Sequence, residues 1–331
     1  MNALNRSLEG TSMQTTWIDV TVVSKQEEAA GIASFELAAA NGVTLPAYTP
    51  GSHIDVEVSP GLIRQYSLCS AKEHEGRYLI GVLNDENSRG GSRALHAIEV
   101  GRALRISAPR NHFPLAEDAE HSVLFAGGIG ITPILSMAER LETDGQSFEL
   151  HFCARSADRA AFYSRIVASG FGNKTTFYFD DQKERADLQK ILQKPQKNSH
   201  LYVCGPQGFM TAVLCAATGQ GWPEDQLHKE FFVAPAHEHS EENRSFDVIL
   251  SSSGERFQIN ASETIVEVLE RHGFEIPVSC EQGICGTCLT GVLDGEIDHR
   301  DSVLSNVEKA LNTVFTPCCS RAKGDLLVLD L

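Results

Sequence analysis

Hydrophobic and polar positions change their period twice along this chain. From residue 17 to about 115 the pattern is that of strands. Trp17-Ile18-Asp19-Val20-Thr21-Val22-Val23 is a β-branched run and Ser34-Phe35-Glu36-Leu37 a shorter one, while His53-Ile54-Asp55-Val56-Glu57-Val58 alternates as a half-buried strand does. Pro46, Pro50, Gly51, Pro60 and Gly61 fall at turn positions between such runs. Many short strands between frequent turns predict a small antiparallel barrel. Near residue 120 the pattern changes. Residues 122–126, 148–152, 175–179 and 200–204 are short apolar runs, and helical spacing fills 133–141 and the stretch from Pro206 to Ala217. Strands alternating with helices predict a parallel, doubly wound sheet. A polar, aperiodic stretch follows, then an alternating strand at 245–250 and an amphipathic helix at 264–272. The boundaries expected are an N-terminal extension 1–16, a barrel 17–116, an α/β domain 117–234, a linker 235–244 and a third domain 245–331.

Length agrees with that division, because 331 residues hold two or three domains at roughly 100–200 residues each. The chain carries 28 Lys and Arg against 44 Asp and Glu, a net charge of −16, which repels phosphate backbones and argues against a nucleic-acid partner. Every apolar run is interrupted well short of the ~18–20 residues a membrane span needs. Met1-Asn2-Ala3-Leu4-Asn5-Arg6 lacks a basic region followed by an apolar core, so no secretory signal or membrane anchor is expected and the protein reads as cytoplasmic. Nine cysteines, three of them within nine residues, then point to metal rather than to cystines.

Those three are Cys280, Cys285 and Cys288, spaced C-x4-C-x2-C, with a further thiol at Cys318. Four thiolates so spaced match a plant-type [2Fe–2S] site. Such a site needs a tight loop with backbone N–H groups turned toward the sulfurs, and Gly283 and Gly286 permit the unusual φ values required. A structural Zn(Cys)4 site is the competing reading, but zinc sites pair one C-x2-C with another. Cys319 competes with Cys318 as fourth ligand. On an extended segment the two point to opposite faces, so only one can face the iron. Cys69, Cys153 and Cys215 read as ordinary buried thiols. The His237-x-His239 pair in the linker could ligate a metal, but nothing nearby completes a site.

Three further segments suit anionic or planar ligands. Arg64-Gln65-Tyr66-Ser67 ends a barrel strand with a charge, an aromatic ring and a hydroxyl. Ser88-Arg89-Gly90-Gly91-Ser92 opens a short helical run, where backbone N–H groups can hold a phosphate. Gly127-Gly128-Ile129-Gly130-Ile131-Thr132-Pro133 lies between strand and helix, a partial dinucleotide fingerprint, with Pro133 suited to the first helical turn. Cys204-Gly205-Pro206 repeats that logic at a later strand end, offering a small polarizable side chain to a planar ring.

In this order the segments resemble the ferredoxin reductase superfamily, and within it the phthalate dioxygenase reductase and vanillate demethylase reductase family, over nearly the whole chain from Trp17 to Leu331. The resemblance implies an FMN-binding β-barrel, an NADH-binding α/β domain and an α+β, β-grasp [2Fe–2S] ferredoxin domain. It places Arg64, Gln65, Tyr66 and Ser67 along the flavin and Gly81, Val82 and Leu83 at its ring, with Leu83 replacing an expected Lys. Arg89, Gly90, Gly91 and Ser92 would hold the phosphate. Thr132 and Phe232 would approach from the nicotinamide side. Gly127, Gly128, Gly130, Pro133, Cys204, Gly205 and Pro206 would bind NADH, with Asp180 at its ribose. Ser67, Thr132 and Cys204 are the residues expected at the reacting rings. The family's closing motif makes its first residue the ligand, so Cys280, Cys285, Cys288 and Cys318 are assigned to iron. The implied activity carries a hydride from NADH to FMN and single electrons through the cluster to a Rieske-type oxygenase. A stand-alone diaphorase or ferric reductase, and a flavin-less electron carrier or zinc-stabilised binding module, remain as alternatives.

Overall fold

The computed structural model describes residues 17–70, 76–85, 90–182, 185–193, 195, 197–233 and 243–331. Arg89, the 1–16 extension and His237 and His239 of the expected linker lie outside them.

The β-branched start of the chain forms β1 (Trp17–Ala29), longer than its apolar run because β2 (Ile32–Ala39) pairs with it as a hairpin. Then come β3 (Ser52–Ser59), β4 (Leu62–Ser67), β5 (Arg77–Leu83), the single-turn helix α1 (Gly91–His96), β6 (Ala103–Ser107) and β7 (Arg110–Asn111). The strands run in the order β4-β3-β6-β1-β2-β5, and a bridge between Leu68 and Ile80 closes the barrel. Val20, Phe35, Leu37, Ile54, Val56, Tyr78 and Ile80 fill it. β3 departs from the half-buried strand its alternation predicts. His53 and Asp55, on the polar face, are as buried as Ile54 and Val56, because other parts of the molecule cover that face.

Five parallel strands follow: β8 (His121–Gly127), β9 (Phe148–Ala154), β10 (Thr175–Phe179), β11 (Ser199–Cys204) and β12 (Leu227–Glu230). Their order is β10-β9-β8-β11-β12. Between them run α2 (Ile131–Thr143), α3 (Tyr163–Val167), α4 (Leu188–Ile191) and α5 (Gln207–Gly219). On β8, Leu124 and Ala126 pack with α2, while Val123 and Phe125 pack with α5 on the other face. A sheet covered on both faces is the doubly wound arrangement. The α2 side also takes in Ala29, Ile32, Cys69 and Phe113 of the barrel, so the two units share one core. Cys215 lies off the α5 stripe of Met210, Val213, Ala216 and Ala217 and is exposed, and Cys153 is only half-buried, which corrects their reading as buried thiols.

The last unit holds β13 (Phe246–Leu250), β14 (Arg256–Ile259), α6 (Ile265–Arg271), β15 (Thr290–Asp294), β16 (Ile297–Asp298), α7 (Asn306–Leu311), β17 (Val314–Phe315), β18 (Arg321–Ala322) and β19 (Leu326–Leu329). The main sheet runs β14-β13-β19-β15-β17, with β13 and β19 parallel, and α6 buries Ile265, Val268 and Leu269 against it. Thr264 and Glu267 cap α6 reciprocally, satisfying two of its first N–H groups. No helix among the described residues is long and apolar enough to cross a membrane.

Candidate functional site

Strand order reverses between β8 and β11, and ligands of open α/β sheets lie outside the carboxyl ends of the strands at such a switch point. The two glycine turns expected to bind nucleotide meet there. A Cβ on Gly130 would lie 2.2 Å from the Cys204 carbonyl oxygen, so only glycine lets the turns touch. Gly127 packs on Pro206 and Phe209, and Gly205 lies against Gly127. Pro133 is buried in the first turn of α2. Asp180 and Asp181 stand exposed at the carboxyl end of β10.

Beside this point the barrel presents β4. Arg64, Gln65 and Ser67 line a cleft of about 110 Å3 that is open to solvent. Glu230 and Phe232, from the end of the α/β unit, line it too, as do Ser279, Cys280, Gln282 and Ile284 of the cysteine loop. All three units therefore meet at one cleft. Tyr66 packs toward the barrel core, and burial pushes its phenol up to about 12. Gly81 has no room for a side chain because Thr132 Cγ2 lies 2.8 Å from where a Cβ would stand. Val82 is buried beside it and Leu83 is exposed. Gly91 packs on the Arg64 side chain, Gly90 has φ +94°, and Ser92 Oγ accepts from Asp85 N–H at 3.3 Å.

Of the three residues expected at the reacting rings, only Ser67 reaches the cleft. Thr132 is buried and donates to Ile129 O at 3.0 Å, and Cys204 is fully buried in the shared core. Glu230 links two of them, and the sequence did not reveal it. Ser67 Oγ donates to Glu230 Oε2 at 3.2 Å, and Glu230 is the β12 register partner of Cys204. Burial pushes the Glu230 carboxyl up to about 8, although the Ser67 hydrogen bond acts the other way. It therefore holds a proton at neutral pH. Burial and the nearby Glu230 raise the Cys204 thiol. His53 Nδ1 lies 3.8 Å from Glu230 Oε1, but burial above all keeps this histidine uncharged, so the two form no ion pair at neutral pH.

The cysteine loop fits an anionic cluster. Gln282 N–H donates to Cys280 Sγ at 3.3 Å and Thr287 N–H to Cys285 Sγ at 3.5 Å. Gly283 and Gly286 have φ of +71° and +67°, the left-handed values that turn successive amides inward. The hydrogen bond from the Cys280 thiol holds the Cys285 thiol below its ordinary range. Cys318 faces Cys288 and accepts from Gly283 N–H. Residues 317–319 form a turn rather than an extended segment, so the alternation expected of Cys318 and Cys319 does not apply. The two thiols touch, and Cys319 also contacts Thr316 Oγ1 at 3.2 Å.

Comparison with known proteins agrees. Residues 248–323 match the family model of the 2Fe-2S iron-sulfur cluster binding domain. The chain is 55% identical over 317 residues to vanillate O-demethylase oxidoreductase of Pseudomonas putida, covering 95% of this chain and 100% of the relative. It is 39% identical over 325 residues to phthalate dioxygenase reductase of Burkholderia cepacia, covering 97% and 99%. A solved phthalate dioxygenase reductase superposes with a TM-score of 0.71 at 39% identity, over 95% of this chain and 98% of that one. An intact type IV self-sufficient cytochrome P450 monooxygenase superposes with a TM-score of 0.88 at 38% identity, and 95% of this chain covers 41% of that longer one.

Proposed function

Because the chain belongs to the family that includes vanillate O-demethylase oxidoreductase and phthalate dioxygenase reductase, we propose that it is the NADH-dependent, FMN-containing reductase of a Rieske-type aromatic-ring oxygenase or O-demethylase, working in the cytoplasm. The domains proposed are the barrel 17–116 for flavin, 117–234 for NADH and 245–331 for the [2Fe–2S] cluster. The observation that carries this reading is the single cleft lined by Ser67, Glu230 and Cys280, one residue from each unit. When bound, flavin accepts two electrons at once and releases them singly, which a one-electron cluster requires.

The residues divide the work. Arg64, Gln65 and Ser67 would line the flavin, and the Gly90–Gly91–Ser92 turn, with Arg89, would hold its phosphate. Glu230 keeps a proton beside Ser67 at neutral pH, so no carboxylate charge stands in the cleft. The turns at Gly127–Pro133 and Cys204–Pro206 would seat the dinucleotide at the switch point. Cys280, Cys285, Cys288 and Cys318 would hold iron, soft thiolates suiting that cluster.

The visible spectrum of the purified protein should carry flavin and iron–sulfur bands that NADH bleaches, and adding a terminal oxygenase should give NADH-dependent product. Iron–sulfur bands without flavin bands would leave the flavin-less carrier, and absence of both would leave the zinc module. Bleaching with transfer to artificial acceptors but to no oxygenase would leave a stand-alone diaphorase.

A further inference from the structure

Behind the cleft, one buried carboxylate joins the barrel to the cysteine loop. Asp55 stands opposite Gln65 in the β3–β4 register, and its side chain is 2% exposed. A buried carboxylate is tolerated only when donors satisfy it. Asp55 draws them from two units. Ser279 Oγ donates to Oδ1 at 2.6 Å, Gln65 Nε2 approaches the same oxygen at 3.5 Å, and Arg110 Nη2 pairs with Oδ2. Arg110 is fixed in turn because its strand, β7, pairs with β3 at His53. The same Nη2 donates to Thr287 Oγ1 at 3.1 Å.

Ser279 precedes Cys280 and Thr287 precedes Cys288, so both ends of the three-cysteine loop hang from one ion pair. Residues 279–288 contain no helix or strand of their own to fix them. Charge-assisted hydrogen bonds in a water-poor setting are the strong, geometrically selective kind. Neither Asp55 nor Arg110 lines the cleft. We propose that the Asp55–Arg110 pair is a positioning device that holds the 279–288 loop against the flavin strand β4 and so sets the separation between flavin and cluster. This rests on the functional reading above. Electron tunnelling weakens steeply with distance, so a loop held loosely transfers electrons slowly even when both centres are intact.

Anaerobic stopped-flow mixing of the holoenzyme with NADH separates flavin bleaching from the later bleaching of the cluster. In Asp55→Asn, flavin bleaching, the KM for NADH, iron content and the cluster's spectrum should stay as in the parent. The cluster phase should slow severalfold, because the transfer rate falls with every ångström of added separation. Amide hydrogen exchange across 279–288 should rise at the same time. Asp55→Asn leaves the Arg110 charge without its partner, so Arg110→Gln and the double variant complete a cycle. A pair acting as one unit makes the double variant no slower than the slower single. A cluster phase at the parental rate, or slowing that simply adds in the double variant, would overturn the proposal. If the parent enzyme shows no flavin phase at all, the functional reading fails instead, and loop exchange still decides whether the pair holds the loop.

Discussion

Replacing Glu230 by Gln should stabilise the flavin-free protein at alkaline pH and leave it unchanged in acid. The carboxyl is buried and rises from an ordinary 4.5 to about 8 in the folded chain. A group raised in this way contributes fully below its unfolded value. That contribution is lost as pH climbs from 4.5, and the loss is complete above about 8. At about 1.4 kcal/mol per pH unit, the gap amounts to about 3 kcal/mol at pH 7 and about 5 kcal/mol above pH 8. Gln keeps the shape and still accepts from Ser67, but carries no charge to bury. For a unit of about 200 residues each kcal/mol moves Tm by about 2–4 °C, so at pH 9 the variant should melt about 10 °C or more above the parent. Calorimetry at pH 5 and pH 9, on protein stripped of flavin, reads both arms. Equal melting at pH 9, or the same gain at both values, would refute the assignment of a neutral, buried Glu230.

Heat-released flavin should chromatograph as FMN, since the Gly90–Ser92 turn packed on Arg64 can end the ligand at a phosphate; stoichiometric FAD would contradict this. NADH should surpass NADPH in kcat/KM by about tenfold or more, or about 1.4 kcal/mol, because Asp180 and Asp181 would repel a 2′-phosphate at the end of β10; equal values would remove that role. Cys318→Ser should lose most of the cluster's visible absorbance while NADH still reduces the flavin, and Cys319→Ser should keep both, because the Cys318 thiol is the one that faces Cys288. The reverse pattern would move the ligand by one residue. Residues 245–331 hold 14 acidic and 6 basic residues, and Glu267, Glu275 and Glu281 lie close enough to push Glu270 up, burial adding most. Electron transfer to an oxygenase should therefore slow as salt shortens the screening length to about 8 Å and below, and salt-independent rates would count against charge steering.

Element types were legible because the periods were clean. The apolar run at β8 and the helical spacing after it read as strand and helix, and both formed. What the periods could not tell was which face meets what. His53 and Asp55 occupy the polar phase of an alternating strand, a pattern that ordinarily marks solvent. In the fold that phase is a second buried face, with Glu230 near His53 and the cysteine loop on Asp55. Alternation encodes a difference in polarity between two faces, and a face that meets other domains through hydrogen bonds is as polar as one that meets water.

The site divides in the same way. Cysteine spacing is local, and the loop it marks is where the inward amides and positive φ values occur. Glu230 carried no such signal, since β12 is four residues long and the groups that meet its carboxyl, Ser67 among them, come from 163 or more residues earlier in the chain. Cys318 and Cys319 show the limit most directly. Opposite faces follow from an extended backbone, but Pro317 precedes them and Ser320 N–H returns to Thr316 O at 2.9 Å, which makes the segment a turn. In a turn adjacent thiols can share one side, and both lie near Gly283, so the choice between them rests on their other partners rather than on parity: Cys318 has Cys288, whereas Cys319 has Thr316 and Ser320 as well as Cys318 itself.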